Sequence, residues 1–165
     1  MAKSDSFFIR AEVDTNGTDF NQSEIDLGSF VNLGTKSSSL LRVHNVSVQI
    51  TDENLPTAPI LKDADFKVSW QLTTQTQSAI ITAVDKSLVS SGSLTGKTGV
   101  TPSHDFDVNP QSWTQGYLIG VDTMFLGSDL SVALDSGNCT ISIVMECTIE
   151  SATQANSVAL ALSQQ

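Results

Sequence analysis

The sequence predicts an all-β protein, a sandwich of about eight short strands in a single domain that covers residues 1–165. Apolar and polar residues alternate with a period of two in most of the chain, which is typical of strands with one buried face. Turn-forming residues recur about every 8–12 positions, as they do in β-sandwiches. Charged residues are only 16% of the chain, against roughly 25% in an average domain. Ser, Thr, Asn and Gln take their place, and this favours pleated strands and polar turns over helices.

The N-terminal half holds four strand candidates. The segments FFIRAEVD at 7–14, SEIDLGSFV at 23–31 and DFKVSWQLT at 65–73 alternate, and the last of them places Trp70 on the apolar face. We expect this indole in the core. The longer candidate LLRVHNVSVQIT at 40–51 changes phase near Asn45. A phase change of one residue within a strand predicts a β-bulge.

The C-terminal half opens with a Gly/Ser-rich segment at 88–100, either a hairpin or a flexible loop, and then a Pro-bounded loop, SHDFDVNP, at 103–110. The apolar segment 116–126 is a strand candidate. The run DLSVAL at 129–134 leads through the turn DSGN into the strand CTISIVMECTIE at 139–150. Residues 151–165 predict a helix capped by Ser151, with a terminal strand or arm as the alternative. The apolar face of this helix would consist of Ala152, Ala155, Val158 or Ala159, and Leu162.

The charge distribution argues against several partners. The formal net charge is −10, and all eight Lys and Arg residues lie at or before Lys97. Binding of nucleic acid through its phosphates needs clustered basic residues, so we expect no direct contact with a genome. The apolar residues at 7–9 are interrupted at once by Arg10, which excludes the apolar core of a secretion signal. We therefore expect synthesis in the cytoplasm.

Both cysteines lie in the segment 139–150. Cys139 and Cys147 share its apolar face, and their separation of eight residues places them about 26 Å apart on an extended strand. A disulfide requires Cα atoms within about 7 Å. The sequence therefore predicts two buried, unbonded thiols rather than a redox or zinc site.

No catalytic motif stands out. The sequence contains no nucleophile elbow, P-loop, HExxH or CxxC pattern, and its only histidines are His44 and His104. We therefore do not expect an enzyme or a bound cofactor.

One segment has the spacing of a metal loop. Asp105, Asp107 and Asn109 place side-chain oxygens at positions i, i+2 and i+4, as calcium loops do. The glycine and distal glutamate of such loops are missing, because Pro110 follows. The candidates are therefore a structural calcium site and, as the favoured alternative, a solvated acidic loop.

Two aromatic residues form a second candidate site. Trp113 and Tyr117, in SWTQGY, are candidate glycan contacts because exposed rings of this type stack on sugars. The favoured alternative is that both rings anchor the loop to the start of the next strand.

The strand number, the chain length and the long loops containing Pro and Gly resemble the single jelly-roll capsid proteins of viruses. The resemblance covers most of the chain and is carried by LLRVHNVSVQIT, GYLIGVDTMFL and the closing hairpin DLSVALDSGNCTISIVMECTIE. It implies two four-stranded sheets packed face to face, and copies that assemble through loops and sheet edges into an icosahedral shell. The missing secretion signal fits a protein made in the host cytoplasm and released in the virion.

The chain departs from this family in one respect, since the basic N-terminal arm of many capsid proteins that package RNA is absent. The resemblance therefore implies a subunit whose partners are copies of itself, as pentamers, hexamers or trimers, and other virion proteins. Genome contact would fall to those proteins or to an internal membrane. The polar face of the strand 139–150, around Val144, is a candidate surface for a neighbouring subunit. The alternative function is a glycan- or cell-surface-binding β-sandwich module.

Overall fold

The computed structural model describes residues 4–34, 37–60, 62–97, 100–108 and 112–165, with the backbone alone described at 97, 100–108 and 112. These residues form nine strands and a C-terminal helix. They are β1 (Phe7–Asp14), β2 (Asn21–Asp26), β3 (Ser38–Asp52), β4 (Phe66–Thr73), β5 (Leu88–Lys97), β6 (Val100–Val108), β7 (Ser112–Ile119), β8 (Thr123–Leu130), β9 (Cys139–Ala152) and α1 (Gln154–Ser163).

The strands form two antiparallel sheets. Sheet 1 has the order β1-β9-β3-β7, and sheet 2 has the order β2-β8-β4-β5-β6. With β6 set aside, the pairing is nested: β1 with β9, β2 with β8, β3 with β7, and β4 with β5. Nested pairing of eight antiparallel strands over two sheets is the jelly roll. The predicted fold class is confirmed, and β6 is an added strand at the edge of sheet 2 beside β5.

Three predicted segments were wrong. The segments 129–134 and 139–150 do not form the predicted hairpin, because β8 and β9 lie in different sheets. Residues 103–108, predicted as a loop, belong to β6, which pairs with β5 through its backbone. Backbone pairing at a sheet edge does not depend on apolar side chains, so a hydrophobicity pattern does not reveal it. The apolar run 116–126, predicted as one strand, is split between β7 in sheet 1 and β8 in sheet 2. Both strands contribute to the core, and the turn between them at 120–122 interrupts the apolar run only at Asp122.

The long strand β3 contains the predicted bulge. Its register shifts between Val43 and Asn45 against both of its neighbours, and against β9 the extra residue is His44. The shift exchanges the parity of the inward-facing residues, which explains why the apolar pattern changes phase there.

The core lies between the two sheets. Trp70 on β4 is only 1% exposed, as predicted, and it lies over Gly92 of the neighbouring β5. A Cβ at position 92 would come within 2.8 Å of Trp70 Nε1, so the indole occupies the space that a side chain at 92 would need.

Both cysteines are buried and free on the inward side of β9, as predicted. Burial raises the pKa of the Cys139 and Cys147 thiols to about 12. Both thiols are packing groups, and their raised pKa makes them unreactive at neutral pH.

The loops at one end of the sandwich are held together by the β8–β9 turn. The Asn138 side chain accepts from the Gly17 amide at 2.9 Å, and its carbonyl accepts from the Glu53 amide at 3.2 Å. In the same turn, Asp135 accepts from Lys62 Nζ at 2.9 Å. The β1–β2 and β3–β4 loops are thereby tied to the turn that precedes β9.

The helix α1 forms as predicted, but its cap and its buried face differ. Thr153, not Ser151, accepts from the Asn156 amide at 3.4 Å. The predicted apolar face points outward: Val158 is 41% exposed and Leu162 is 65% exposed. The buried residues on the opposite face include Ser157, Ala161 and the C-cap Gln164. Small side chains on that face, together with Gly120 opposite Leu160, allow the helix to approach closely.

Candidate interaction surfaces

The outer face of sheet 1 includes the polar face of β9, which the sequence predicted as a candidate surface for a neighbouring subunit. Residues of β9 alternate between buried and partly exposed from Cys139 to Cys147, as predicted. The register aligns four cross-strand rows over β1, β9 and β3. They are Asp14–Thr140–Thr51, Glu12–Ser142–Gln49, Arg10–Val144–Ser47 and Phe8–Glu146–Asn45. The face is therefore polar, with its charged and aromatic residues concentrated on β1.

One end of this face is acidic. Glu12, Asp14 and Glu53 line a cleft of about 310 Å³ together with the buried Asp52. The Asp52 carboxylate accepts from the amides of Asn54 and Leu55, so it fixes the turn after β3. Among the described residues, no group of three or more His, Cys, Asp or Glu side chains is arranged to hold a metal ion.

An ion pair with little exposure to solvent lies at the other end of the outer face of sheet 1. Arg42 donates to both oxygens of Glu150, at 2.7 and 2.8 Å, and to the Gln115 carbonyl at 2.6 Å. Hydrogen bonding to Glu150 raises the pKa of the Arg42 guanidinium. Beside it, the His44 ring lies 2.9 Å from the Thr148 hydroxyl. These contacts join β3, β7 and β9, so the histidine belongs to a structural network at the bulge.

Two of the three candidate calcium residues lie at the edge of sheet 2. Asp105 and Asp107 fall within β6, whose side chains are outside the described part of the structure, and Asn109 is outside the described residues altogether. The register between β5 and β6 shifts near Asp105, between Ser91 and Ser93. The segment is an irregular strand rather than a loop, and calcium binding stays a prediction.

Trp113 and Tyr117 contact each other on β7. Their ring centroids are 5.6 Å apart at an interplanar angle of 55°. Both rings are half-buried and pack against the core. Burial raises the pKa of Tyr117, and a hydrogen bond with Gln164 opposes that shift. The pair therefore fastens β7 to the core and to the C-terminal segment.

The two edges of sheet 1 differ. At the β7 edge, Gln164 Nε2 donates to the Leu118 carbonyl at 2.6 Å, and Gln164 Oε1 accepts from the Gly120 amide at 2.9 Å. One glutamine thus covers the end of this edge. At the other edge, β1 is continuous and unbulged from Phe7 to Asp14, and Phe8 is 60% exposed. Sequence reasoning missed this contrast, because it depends on which strands are outermost.

The strand order and this surface define a single jelly-roll β-sandwich with one covered and one open edge in sheet 1. No helix among the described residues is long and apolar enough to cross a membrane. No family model matches the chain, and no curated protein sequence matches it.

Solved structures similar to this chain include viral capsid proteins. Merkel cell polyomavirus VP1, in complex with GD1a oligosaccharide, is 8% identical over 90% of this chain and 95% of that chain, with a TM-score of 0.38. A chain of the human polyomavirus 6 VP1 pentamer is 8% identical over 89% of this chain and 97% of that chain, with a TM-score of 0.44. A chain of the Desmodium yellow mottle tymovirus structure is 10% identical over 88% of this chain and 87% of that chain, with a TM-score of 0.35. At these values the likeness carries no argument about function, and the jelly-roll assignment rests on the strand order of the chain itself.

Proposed function

We propose that this chain is a structural subunit that assembles with copies of itself into a viral capsid shell, made in the host cytoplasm and carried in the virion. The observation that carries the proposal is the open edge that β1 forms in sheet 1. Edge strands present unpaired backbone groups, and soluble proteins ordinarily cover or distort them. β1 contains no proline, no lysine and no bulge.

The side chains of β1 also leave apolar surface uncovered. Phe7, Ile9 and Ala11 face the core and are only partly buried. On the outer side of the same strand, Phe8 is 60% exposed. Apolar side chains are therefore incompletely covered on both faces of a strand that can accept another strand.

The charge pattern supports contact with protein rather than with a genome. The net charge is −10 and no basic residue follows Lys97, so a nucleic acid would be repelled by most of the surface. The same repulsion acts between copies, and salt screens it. We therefore expect assembly to increase with ionic strength, and with calcium where the carboxylates at the acidic end of sheet 1 approach one another.

The test is the size distribution of the purified protein. Light scattering, sedimentation velocity and electron microscopy would be run over a range of protein and NaCl concentrations, with CaCl₂ or EGTA. We expect closed shells, or oligomers larger than a dimer, that increase with salt. A monomer under every condition would contradict the proposal, and shells insensitive to both salt and chelator would contradict its electrostatic part.

The alternative function is a glycan-binding module that uses Trp113 and Tyr117, whose rings contact each other and keep part of their surface exposed. A glycan array with the wild type and Trp113→Ala tests it. Sugar binding that is lost in the variant, at unchanged thermal stability, would favour this function. Because both rings pack against the core, we expect the substitution to lower stability instead.

A further inference from the structure

We propose that two copies of this chain pair through β1, antiparallel across a twofold axis at Ala11, with Arg10 of each copy opposite Glu12 of the other. The two four-stranded sheets would then form one continuous eight-stranded sheet. This inference rests on the proposed function, in that both require self-association, and it names the contact. Four features of β1 and its surroundings support it.

The first is the direction of the backbone groups. The Thr15 amide donates to the Cys139 carbonyl at 2.8 Å, which sets the phase of the β1–β9 ladder. In an antiparallel pair, hydrogen-bonded positions alternate, so the odd residues of β1 bond to β9. The N–H and C=O groups of Phe8, Arg10 and Glu12 therefore point away from β9, outward from the edge of the sheet. Among the described residues, none provides these groups with a hydrogen-bond partner.

The second feature is the extent of the edge that is open to a partner, which ends at Asp14. Its carbonyl accepts from Asn21 Nδ2 at 2.8 Å and from the Ser128 hydroxyl at 3.1 Å. The edge is therefore covered at Asp14 and open over the preceding residues. An axis at Ala11 uses the groups of Arg10 and Glu12 in both copies, which gives four new backbone hydrogen bonds at the centre of the contact.

The third feature is charge complementarity. Residues opposite each other in an antiparallel pair lie on the same face, so the axis position determines which outer side chains meet. An axis at Arg10 or at Glu12 would place that residue opposite itself, and one at Val13 would oppose Glu12 and Asp14. An axis at Ile9 pairs no unlike charges. Only the axis at Ala11, among positions 9–13, pairs Arg10 with Glu12 twice without opposing like charges.

The inner face agrees with this register. The same axis places Ile9 opposite Val13 and Ala11 opposite itself, so apolar side chains meet apolar ones and the smallest lies on the axis. Ile9 and Ala11 are partly exposed in the single chain. A second copy of β1 would cover them.

Two of the other edges, β7 and β2, do not offer this arrangement. Gln164 covers the end of β7. On β2, the outer residues Glu24 and Asp26 are both exposed acids, so a second copy of β2 would oppose carboxylates with carboxylates. A second copy of β1 is therefore the partner that the surface fits.

Charge reversal tests the register. Arg10→Glu, Glu12→Arg and the double variant R10E/E12R would be compared with the wild type by sedimentation velocity over a concentration series. We expect each single variant to weaken dimerisation about tenfold or more, because two attractive cross-strand pairs become repulsive. The double variant restores both pairs in reversed order, so its dissociation constant should return to within about threefold of the wild-type value.

Global charge is controlled within the same set. E12R lowers the net negative charge, so it would strengthen association if only overall repulsion mattered, whereas the proposal requires weakening. Glu24→Arg on β2 makes the same charge change at another edge and should not weaken the dimer. Far-UV circular dichroism and thermal melts would confirm that every variant is folded.

Cross-linking tests the axis directly. In an antiparallel pair, non-hydrogen-bonded positions have Cα atoms about 4.5 Å apart, which is within disulfide range. Ala11→Cys should therefore give a covalent dimer on treatment with diamide, whereas Thr18→Cys, exposed in the β1–β2 loop, should not. The native thiols are buried and do not compete.

The outcomes separate the two proposals. Shells or oligomers that tolerate R10E and E12R, and show no dimer with Ala11→Cys, would overturn the β1 contact and leave the shell function standing. A β1-dependent dimer that forms nothing larger would support the contact and contradict the shell function. A wild type that stays monomeric at every salt and protein concentration would overturn both.

Discussion

Replacement of Arg42 by methionine should destabilise the fold far more than replacement of an ordinary surface cation. Its guanidinium makes two bonds to Glu150, at 2.7 and 2.8 Å, and one to the Gln115 carbonyl at 2.6 Å. The Glu150 side chain is 1% exposed and that of Arg42 is 16% exposed. Arg42→Met therefore removes three charge-assisted hydrogen bonds from a site with little access to water.

The expected magnitude follows from this burial. Breaking a buried ion pair costs about 3–5 kcal/mol of unfolding free energy. Because Arg42 retains some exposure, we expect the lower value, about 3 kcal/mol. In a chain of 165 residues, that corresponds to a fall in Tm of about 6–12 °C.

The assay is urea unfolding followed by tryptophan fluorescence, which reports on the buried Trp70 and the half-buried Trp113, with the m-value as a check on two-state behaviour. Lys62→Met is the matched control, because Lys62 pairs with the half-exposed Asp135 at 2.9 Å, and such pairs contribute about 0–1 kcal/mol. The double variant R42M/E150M should regain at least half of the loss, since apolar replacement of both partners removes the buried charge. A loss below about 1 kcal/mol in Arg42→Met would refute the reasoning.

Three further predictions concern the core and the C-terminal segment. Gly92→Ala should cost about 1–3 kcal/mol in urea unfolding, because its Cβ would lie 2.8 Å from Trp70 Nε1. Between about pH 9 and 12 the unfolded chain loses the thiol protons of Cys139 and Cys147 while the native state keeps them. Stability should therefore fall with rising pH, by about 2.7 kcal/mol per pH unit for two thiols, and C139A/C147A should flatten this slope in unfolding curves across that range. Gln164→Ala should cost about 2–3 kcal/mol and speed hydrogen exchange of the Gly120 amide, which loses its 2.9 Å acceptor; unchanged exchange would contradict this role.

Features that depend on local pattern could be predicted from the sequence. The change of parity near Asn45 indicated the bulge, and the structure places the register shift between Val43 and Asn45. The alternation of 139–150 indicated that both cysteines are buried, and they are. Parity is a property of consecutive residues in an extended chain, so it survives without knowledge of the neighbouring strands.

Features that depend on strand neighbours could not be predicted in this way. The helix α1 was expected to bury its apolar face, yet Val158 and Leu162 are exposed. Gln164 determines the orientation instead, through partners on β7 that are remote in sequence. Likewise, Gly92 is required because Trp70 lies on the adjacent strand.

The open edge is the clearest example of this limit. β1 is an outer strand because it is the end member of the order β1-β9-β3-β7. Its neighbour β9 lies near the far end of the chain, so that Phe7, for example, pairs with Cys147. No local signal in the segment 7–14 distinguishes an edge strand from a central one. The complementary charges of Arg10 and Glu12 indicate a contact between copies only once β1 is known to be an edge strand.

The position of β9 between β1 and β3 has a consequence for the order of events during synthesis. β9 follows all the other strands in sequence, yet it is the strand that links β1 to the rest of sheet 1. Until residues 139–152 have left the ribosome and inserted, β1 has no partner in that sheet. Pairings between such distant segments form slowly. The edge on which we propose that copies meet is therefore completed only when the whole sandwich has closed, so subunits become competent to associate after they have folded and not before.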